Sequence, residues 1–233
     1  MIDRKRVAAW AESLGLAVTD GMLSDLDRYA EAVARTNEMF NLTAIRDPGD
    51  MEVKNIMDSM SVVPFIPQGA SVADVGTGAG FPGMVIKILR PDISLTLIEA
   101  TDKKLQFVLR TAAEMGIGVK GCHMRSEEAG RGDMRGSFDV VTARAVAALP
   151  ALLEYTLPLL KKGGKLLAMK GPAAQEEIEA SANALKELRG RVEEVHPVIL
   201  PDGEERAIVE AVLAGDCPSR YPRTAKNIRK APL

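Results

Sequence analysis

Hydrophobic positions in the first 68 residues recur at helical spacing. Val7, Trp10, Ala11 and Leu14 share one face, and Gly15 marks a stop. Met22, Leu23, Leu26, Tyr29, Ala30 and Val33 line a second helix, after which Asn41-Leu42-Thr43 reads as a turn or a new cap. A third helix covers about 52–63 and ends before Pro64; Pro64, Pro67 and Gly69 then set a boundary. Beyond it the pattern alternates. Short apolar, β-branched runs predict strands over 71–75, 94–99, 119–124, 138–142 and 165–169. Helical spacing predicts helices over 82–89, 102–115, 149–160 and 173–188, with Lys161-Lys162-Gly163-Gly164 closing the third of these. Segments 191–199 and 207–213 read as a closing pair of strands. Strand and helix in strict alternation make a mainly parallel sheet covered on both faces. The expected fold is α/β: a doubly wound, Rossmann-like sheet with an N-terminal helical extension. The chain divides into an extension over 1–68, the sheet domain over 69–215 and a tail over 216–233.

Composition narrows the picture only in places. The chain has 233 residues, enough for one full domain plus an extension. At 46% hydrophobic but 4% aromatic, its core rests on aliphatic side chains and methionine. Two cysteines, Cys122 and Cys217, build no disulfide framework, and with only His123 and His196 beside them no metal site is expected. The longest apolar region, 140–160, is broken by Arg144, Pro150, Glu154 and Pro158, so it does not span a membrane. Asp3, Arg4, Lys5 and Arg6 near the start are unlike a secretory signal, and the expected compartment is the cytoplasm. Net charge is −2, yet Arg220, Arg223, Lys226, Arg229 and Lys230 stand in the tail with no acidic neighbour after Cys217. Such a tail is either a solvated end or a phosphate-binding arm.

The candidate chemistry centres on Asp74-Val75-Gly76-Thr77-Gly78-Ala79-Gly80-Phe81-Pro82-Gly83, between a predicted strand and a predicted helix. A glycine loop in this position lets the backbone approach a ligand closely. Two cofactor classes compete for it. Gly78, Gly80 and Gly83 fit the spacing of dinucleotide folds, where a pyrophosphate sits at the helix N-terminus. Asp74 argues the other way: an acid there suits a cationic ligand, and S-adenosylmethionine carries a sulfonium and an ammonium but no phosphate. Glu99, at the end of the second strand, is placed to accept from ribose hydroxyls in either class. Ser126 and Glu127 follow the third strand at the carboxyl edge, within reach of an adenine amino group if they are not simply a solvated loop.

Taken together the motifs resemble the RsmG (GidB) family. The matching pieces are Asn41-Leu-Thr-Ala-Ile45, Asp58-Ser59, the glycine loop through Gly83, Val141-Thr-Ala-Arg-Ala-Val-Ala147, Lys170-Gly171 and Tyr221-Pro-Arg223. After Arg223 the tail departs from the family pattern, which places a glycine there. The resemblance implies the methyltransferase version of the doubly wound sheet and S-adenosylmethionine as cofactor. It implies methylation of nitrogen 7 of a guanine in bacterial 16S ribosomal RNA, as naked RNA, 30S subunit or assembly intermediate. It carries cofactor contacts onto Gly76, Phe81, Ser126, Glu127 and Arg144.

Nitrogen 7 has a free lone pair and no proton to lose, so no general base or covalent cysteine is needed, and no amino-group methylation motif is present. Catalysis rests on positioning. Arg144, at the end of the fourth strand, is the expected catalytic residue, pinning guanine oxygen 6 or a phosphate, or orienting Glu127 or Asp74 by an ion pair. Lys170 at the next strand end is either an RNA contact or a solvated lysine, and Asn41 and Asp58 line the substrate side or cap helices. Lys103 and Lys104 open a helix, where the dipole disfavours cations; phosphate binding or ordinary surface charge accounts for them. Rival readings are a nicotinamide-dependent oxidoreductase, a non-enzymatic RNA- or ribosome-binding module, and a methyltransferase of small molecules or proteins. A monomer is expected.

Overall fold

The computed structural model describes residues 2–233. Seven strands form one sheet in the order β3-β2-β1-β4-β5-β7-β6. They are β1 (Ser71–Val75), β2 (Ser94–Glu99), β3 (Lys120–His123), β4 (Phe138–Arg144), β5 (Leu160–Lys170), β6 (Gly190–Ile199) and β7 (Glu205–Leu213). β1 to β5 pair in parallel; β7 runs antiparallel between β5 and β6. β1 shows why the central strands read so clearly: Val72, Ala73, Asp74 and Val75 are all buried, as a strand covered on both faces requires. The order turns around between β1 and β4, and the carboxyl ends of these two strands form the crevice where such sheets bind ligands.

One face of the sheet is covered by the N-terminal helices. α1 (Arg4–Ser13) starts under an Asp3 cap and α2 (Asp20–Met39) under a Thr19 cap. Leu26, Tyr29 and Met57 from this part share one continuous core with Val72, Leu97 and Phe107 of the sheet domain. The other face packs a second core, in which Leu152 and Leu153 of the helix Leu149–Thr156 meet Val141, Leu166 and Val209.

Several segments differ from the expected elements. The third N-terminal helix begins earlier, at Pro48, and its middle, Met51–Met57, is π-helical before α-helix resumes at Asp58–Met60. The helix expected over 173–188 is broken into Ala174–Ala180 and Ala182–Leu188. Ser181 sits buried at the break, and its hydroxyl donates to the Glu177 carbonyl at 2.7 Å, the back-bonding that interrupts a helix. Ser126 and Glu127 lie not in a loop but in the first turn of a short helix, Ser126–Arg131.

The tail is folded. Its helix Ala225–Lys230 buries Ile228 against Ala151 and Tyr155. Ahead of that helix, the Arg135 guanidinium donates to the carbonyls of Cys217, Pro218 and Tyr221. The buried Glu154 carboxylate takes Arg223 in a bidentate pair, with Nη2 at 2.6 Å and Nε at 2.8 Å from its two oxygens. A solvated arm is therefore not what the chain builds.

Candidate active site

The glycine loop leaves β1 with three residues in the left-handed region: Gly76 at φ 68°, Gly78 at φ 57° and Gly80 at φ 89°. Space is limiting as well as conformation. A Cβ on Gly80 would stand 1.9 Å from the Tyr29 hydroxyl, which donates to the Ala79 carbonyl at 2.8 Å. A Cβ on Gly76 would stand 2.8 Å from Val146. Val146 reaches Gly76 because Ala145 turns the chain out of β4 with φ 55°, a conformation uncommon outside glycine.

Asp74 lies beneath this loop, fully buried, and does not face the crevice. Its Oδ2 accepts from the Gly83 N–H at 3.0 Å and its Oδ1 from the Thr142 hydroxyl at 2.9 Å. Burial pushes its carboxyl up to about 6 in spite of these bonds. The expected role as partner of a cationic ligand is thereby corrected: one oxygen braces the loop at Gly83 and the other ties β1 to β4 at Thr142. Glu99 does a related job at the crevice edge, accepting from the Gly78 N–H at 2.9 Å and the Thr101 N–H at 2.8 Å.

These bonds decide between the two cofactor classes. A pyrophosphate needs free N–H groups at the loop and helix start. Here the N–H of Gly78 goes to Glu99, those of Gly80 and Phe81 go to the Thr77 carbonyl, and that of Gly83 goes to Asp74. With donors taken and two carboxylates close by, the loop suits a ligand without phosphate. The residues fit S-adenosylmethionine and not a dinucleotide.

Two cavities meet at Gly76 and Val146. The smaller, of about 230 Å³, is walled by Glu99, Ser126, Glu127, Tyr155 and, from the tail, Ala225 and Arg229. The larger, of about 830 Å³, runs along Gly76–Phe81 and is closed opposite by residues 42–45, Asn55, Asp58, Arg144 and Lys170. Phe81 is buried at its edge, packed edge-on against Tyr29.

Arg144 joins the sheet to the π-helical segment. Its guanidinium donates to the Lys54 carbonyl, to Asp58 Oδ2 at 3.0 Å and to Asn55 Oδ1 at 2.7 Å, and lies 5.6 Å from the Phe81 ring centroid. A widened helix exposes a carbonyl in this way, which is why π turns recur at functional sites. The ion-pair partner is thus Asp58, rather than Glu127 or Asp74. Arginine has five N–H donors, of which three are engaged here; two are left without a protein partner on a side chain that lines the cavity. Burial pushes the Asp58 carboxyl up, partly offset by Arg144, and its Oδ1 is buried without a hydrogen-bond partner.

The other expected RNA contacts are placed unevenly. Lys170 is 8% exposed and donates to the Ala147 carbonyl and to Glu177, each at 2.7 Å, so it is neither solvated nor free. Asn41 is exposed and accepts from Arg46 at 2.9 Å. Arg220 pairs with Glu187 and Arg223 with Glu154, whereas Lys226 and Lys230 are exposed on the tail helix. Sequence reasoning missed Asn37, whose Oδ1 accepts from the N–H groups of Leu42 and Thr43 and so shapes the wall over 42–45. It also missed Asn55 and Val146; an asparagine on the buried side of a helix was the one available signal.

Comparison with known proteins agrees with this geometry. The family model GidB, described as rRNA small subunit methyltransferase G, matches residues 22–207. The ribosomal RNA small subunit methyltransferase G of Symbiobacterium thermophilum is 42% identical over 231 residues, covering 95% of this chain and 94% of that protein. The enzyme of the same name from Lactobacillus delbrueckii subsp. bulgaricus is 42% identical over 212 residues, covering 88% and 89%. Among solved structures, M. jannaschii TYW2 in complex with AdoMet superposes with a TM-score of 0.56 at 13% identity, over 67% of this chain and 74% of that one; it shares the fold. The chain belongs to the rRNA small subunit methyltransferase G family.

Proposed function

We propose that this S-adenosylmethionine-dependent methyltransferase methylates nitrogen 7 of a guanine in bacterial 16S ribosomal RNA, within the 30S subunit or an assembly intermediate, as a cytoplasmic monomer. The observation that carries the reading is the junction of two cavities at Gly76 and Val146. One side suits an adenosine: Glu99 for ribose hydroxyls, Ser126 and Glu127 for the adenine edge. The other has room for a nucleotide and opens beside Arg144.

Bound S-adenosylmethionine supplies an electrophilic methyl on its sulfonium. The chain's own contribution is placement. Nitrogen 7 sheds no proton, so no base is called for, and the two carboxylates among the described residues lining the cavity, Asp58 and Glu177, are each paired with a cation, Arg144 and Lys170. The remaining donors of Arg144 are suited to guanine oxygen 6, fixing the base in plane and favouring guanine over adenine. Orientation of this kind is worth several orders of magnitude in rate.

The test is transfer of label from S-adenosylmethionine to 30S subunits and to stripped 16S RNA, followed by nucleoside analysis. Label in 7-methylguanosine supports the reading. Label in any other nucleoside, or none despite cofactor binding, contradicts it.

A further inference from the structure

We infer that Arg46, Lys103 and Lys104 form the phosphate grip for the RNA strand entering the larger cavity, and that the basic tail does not. The inference rests on the function proposed above and names the surface that would hold its substrate.

Most cations around the larger cavity are already neutralised. Among the described residues lining the larger cavity, the cations are Lys54, Lys104, Arg144, Lys170 and Arg206. Lys54 pairs with Asp50 and Glu204, Arg206 with Glu204, Arg144 with Asp58 and Lys170 with Glu177. Lys104 stands in no such pair. Its neighbour Lys103 places Nζ 4.0 Å from the Phe40 ring centroid, again with no carboxylate. Arg46 makes its side-chain contact with the neutral amide oxygen of Asn41. Phe40 and Asn41 adjoin the cavity wall over 42–45, so the three cations flank one mouth.

The nearby acids point elsewhere. Asp102 faces Gln106 and His123, Asp47 caps the following helix through Gly49 and Asp50, and Asp50 takes Lys54. Lys103 and Lys104 also occupy the first turn of the helix Asp102–Glu114, where the helix dipole opposes a cation. Asp102 shares that turn but is turned to Gln106 and His123, and two first-turn lysines with no ion pair of their own are explained by a polyanionic partner. Met39, 73% exposed at the end of α2 beside Phe40, adds apolar surface next to these cations.

The tail contrasts with this mouth. Arg220 and Arg223 are tied to Glu187 and Glu154, and although Lys226, Arg229 and Lys230 are exposed without a carboxylate partner, their helix borders the smaller cavity and contributes nothing to the wall of the larger.

The test compares two multiple variants, Arg46→Gln with Lys103→Gln and Lys104→Gln, and Lys226→Gln with Lys230→Gln. Binding to 16S RNA is measured across a salt series, with S-adenosylmethionine affinity as the control. The mouth variant should lose at least about tenfold in RNA affinity at 0.1 M salt, and the slope of log K against log salt should shallow by about 2. Its S-adenosylmethionine affinity should stay within about twofold, and the tail variant should bind RNA nearly as wild type. RNA binding unchanged in the mouth variant, or a larger loss in the tail variant, overturns the inference. Wild-type protein that binds and methylates no ribosomal RNA overturns the parent reading instead.

Discussion

The two sides of Gly76 are built on different principles. On the cofactor side, local geometry dominates: three glycines at positive φ, a fully buried Asp74 and Glu99 hold a short loop whose donors are already taken. On the acceptor side, the wall is made by long-range polar contacts. Arg144 reaches Lys54, Asn55 and Asp58, which lie 86 to 90 residues away in the chain. The first arrangement is rigid and specific for one ligand class; the second is a tethered side chain with donors to spare. A methyltransferase that must hold a small cofactor and admit a macromolecule has use for both.

The comparison breaks most directly at Gly80. In Gly80→Ala, the new Cβ meets Tyr29 and the positive φ becomes strained, so stability should fall by about 2–5 kcal/mol. Thermal unfolding would report the loss, and calorimetry should find S-adenosylmethionine binding abolished. A variant as stable as wild type would mean that the loop is not braced as described.

Next in size is Arg223→Ala. It leaves Glu154, which is fully buried, without its bidentate partner, at a cost of about 3–4 kcal/mol. Denaturant unfolding should show the destabilisation. Because Ala225 and Arg229 wall the smaller cavity, cofactor affinity should drop several-fold. Unchanged cofactor affinity would separate the tail from that cavity.

How much of this was legible in sequence follows from the same contrast. The central strands and the glycine loop announce themselves, because a strand buried on both faces needs a continuous apolar run and positive φ calls for glycine. The acceptor wall does not. Asn37 and Asn55 look like ordinary helix positions until their partners are known, and the π-helical turn leaves no local pattern. Lys170 and Arg223 read as RNA contacts because their acids, Glu177 and Glu154, sit in other elements. A helix of six residues such as Ala225–Lys230 has too few turns for periodicity to show.

A smaller effect sharpens the cofactor side. The folded-state value of Asp74, about 6, lies above the ordinary carboxylate value. The folded protein therefore binds more protons than the unfolded chain between about pH 4 and pH 6, and stability falls as pH rises through that window. The Asp74 share of the fall is about 2–3 kcal/mol. In Asp74→Asn the side chain can still accept from Gly83 and contact Thr142, with no proton to lose. Stability measured from pH 4 to 7 should decline less in the variant; an identical decline would contradict the burial argument.

Cofactor binding and acceptor positioning are separable across Gly76, and Arg144→Ala should part them. Calorimetry with S-adenosylmethionine and single-turnover transfer to 16S RNA would be run on the same preparation. Cofactor affinity should stay within about tenfold of wild type while the transfer rate falls at least about 100-fold. Cofactor affinity lost in step with the rate, or a rate left intact, would contradict that separation.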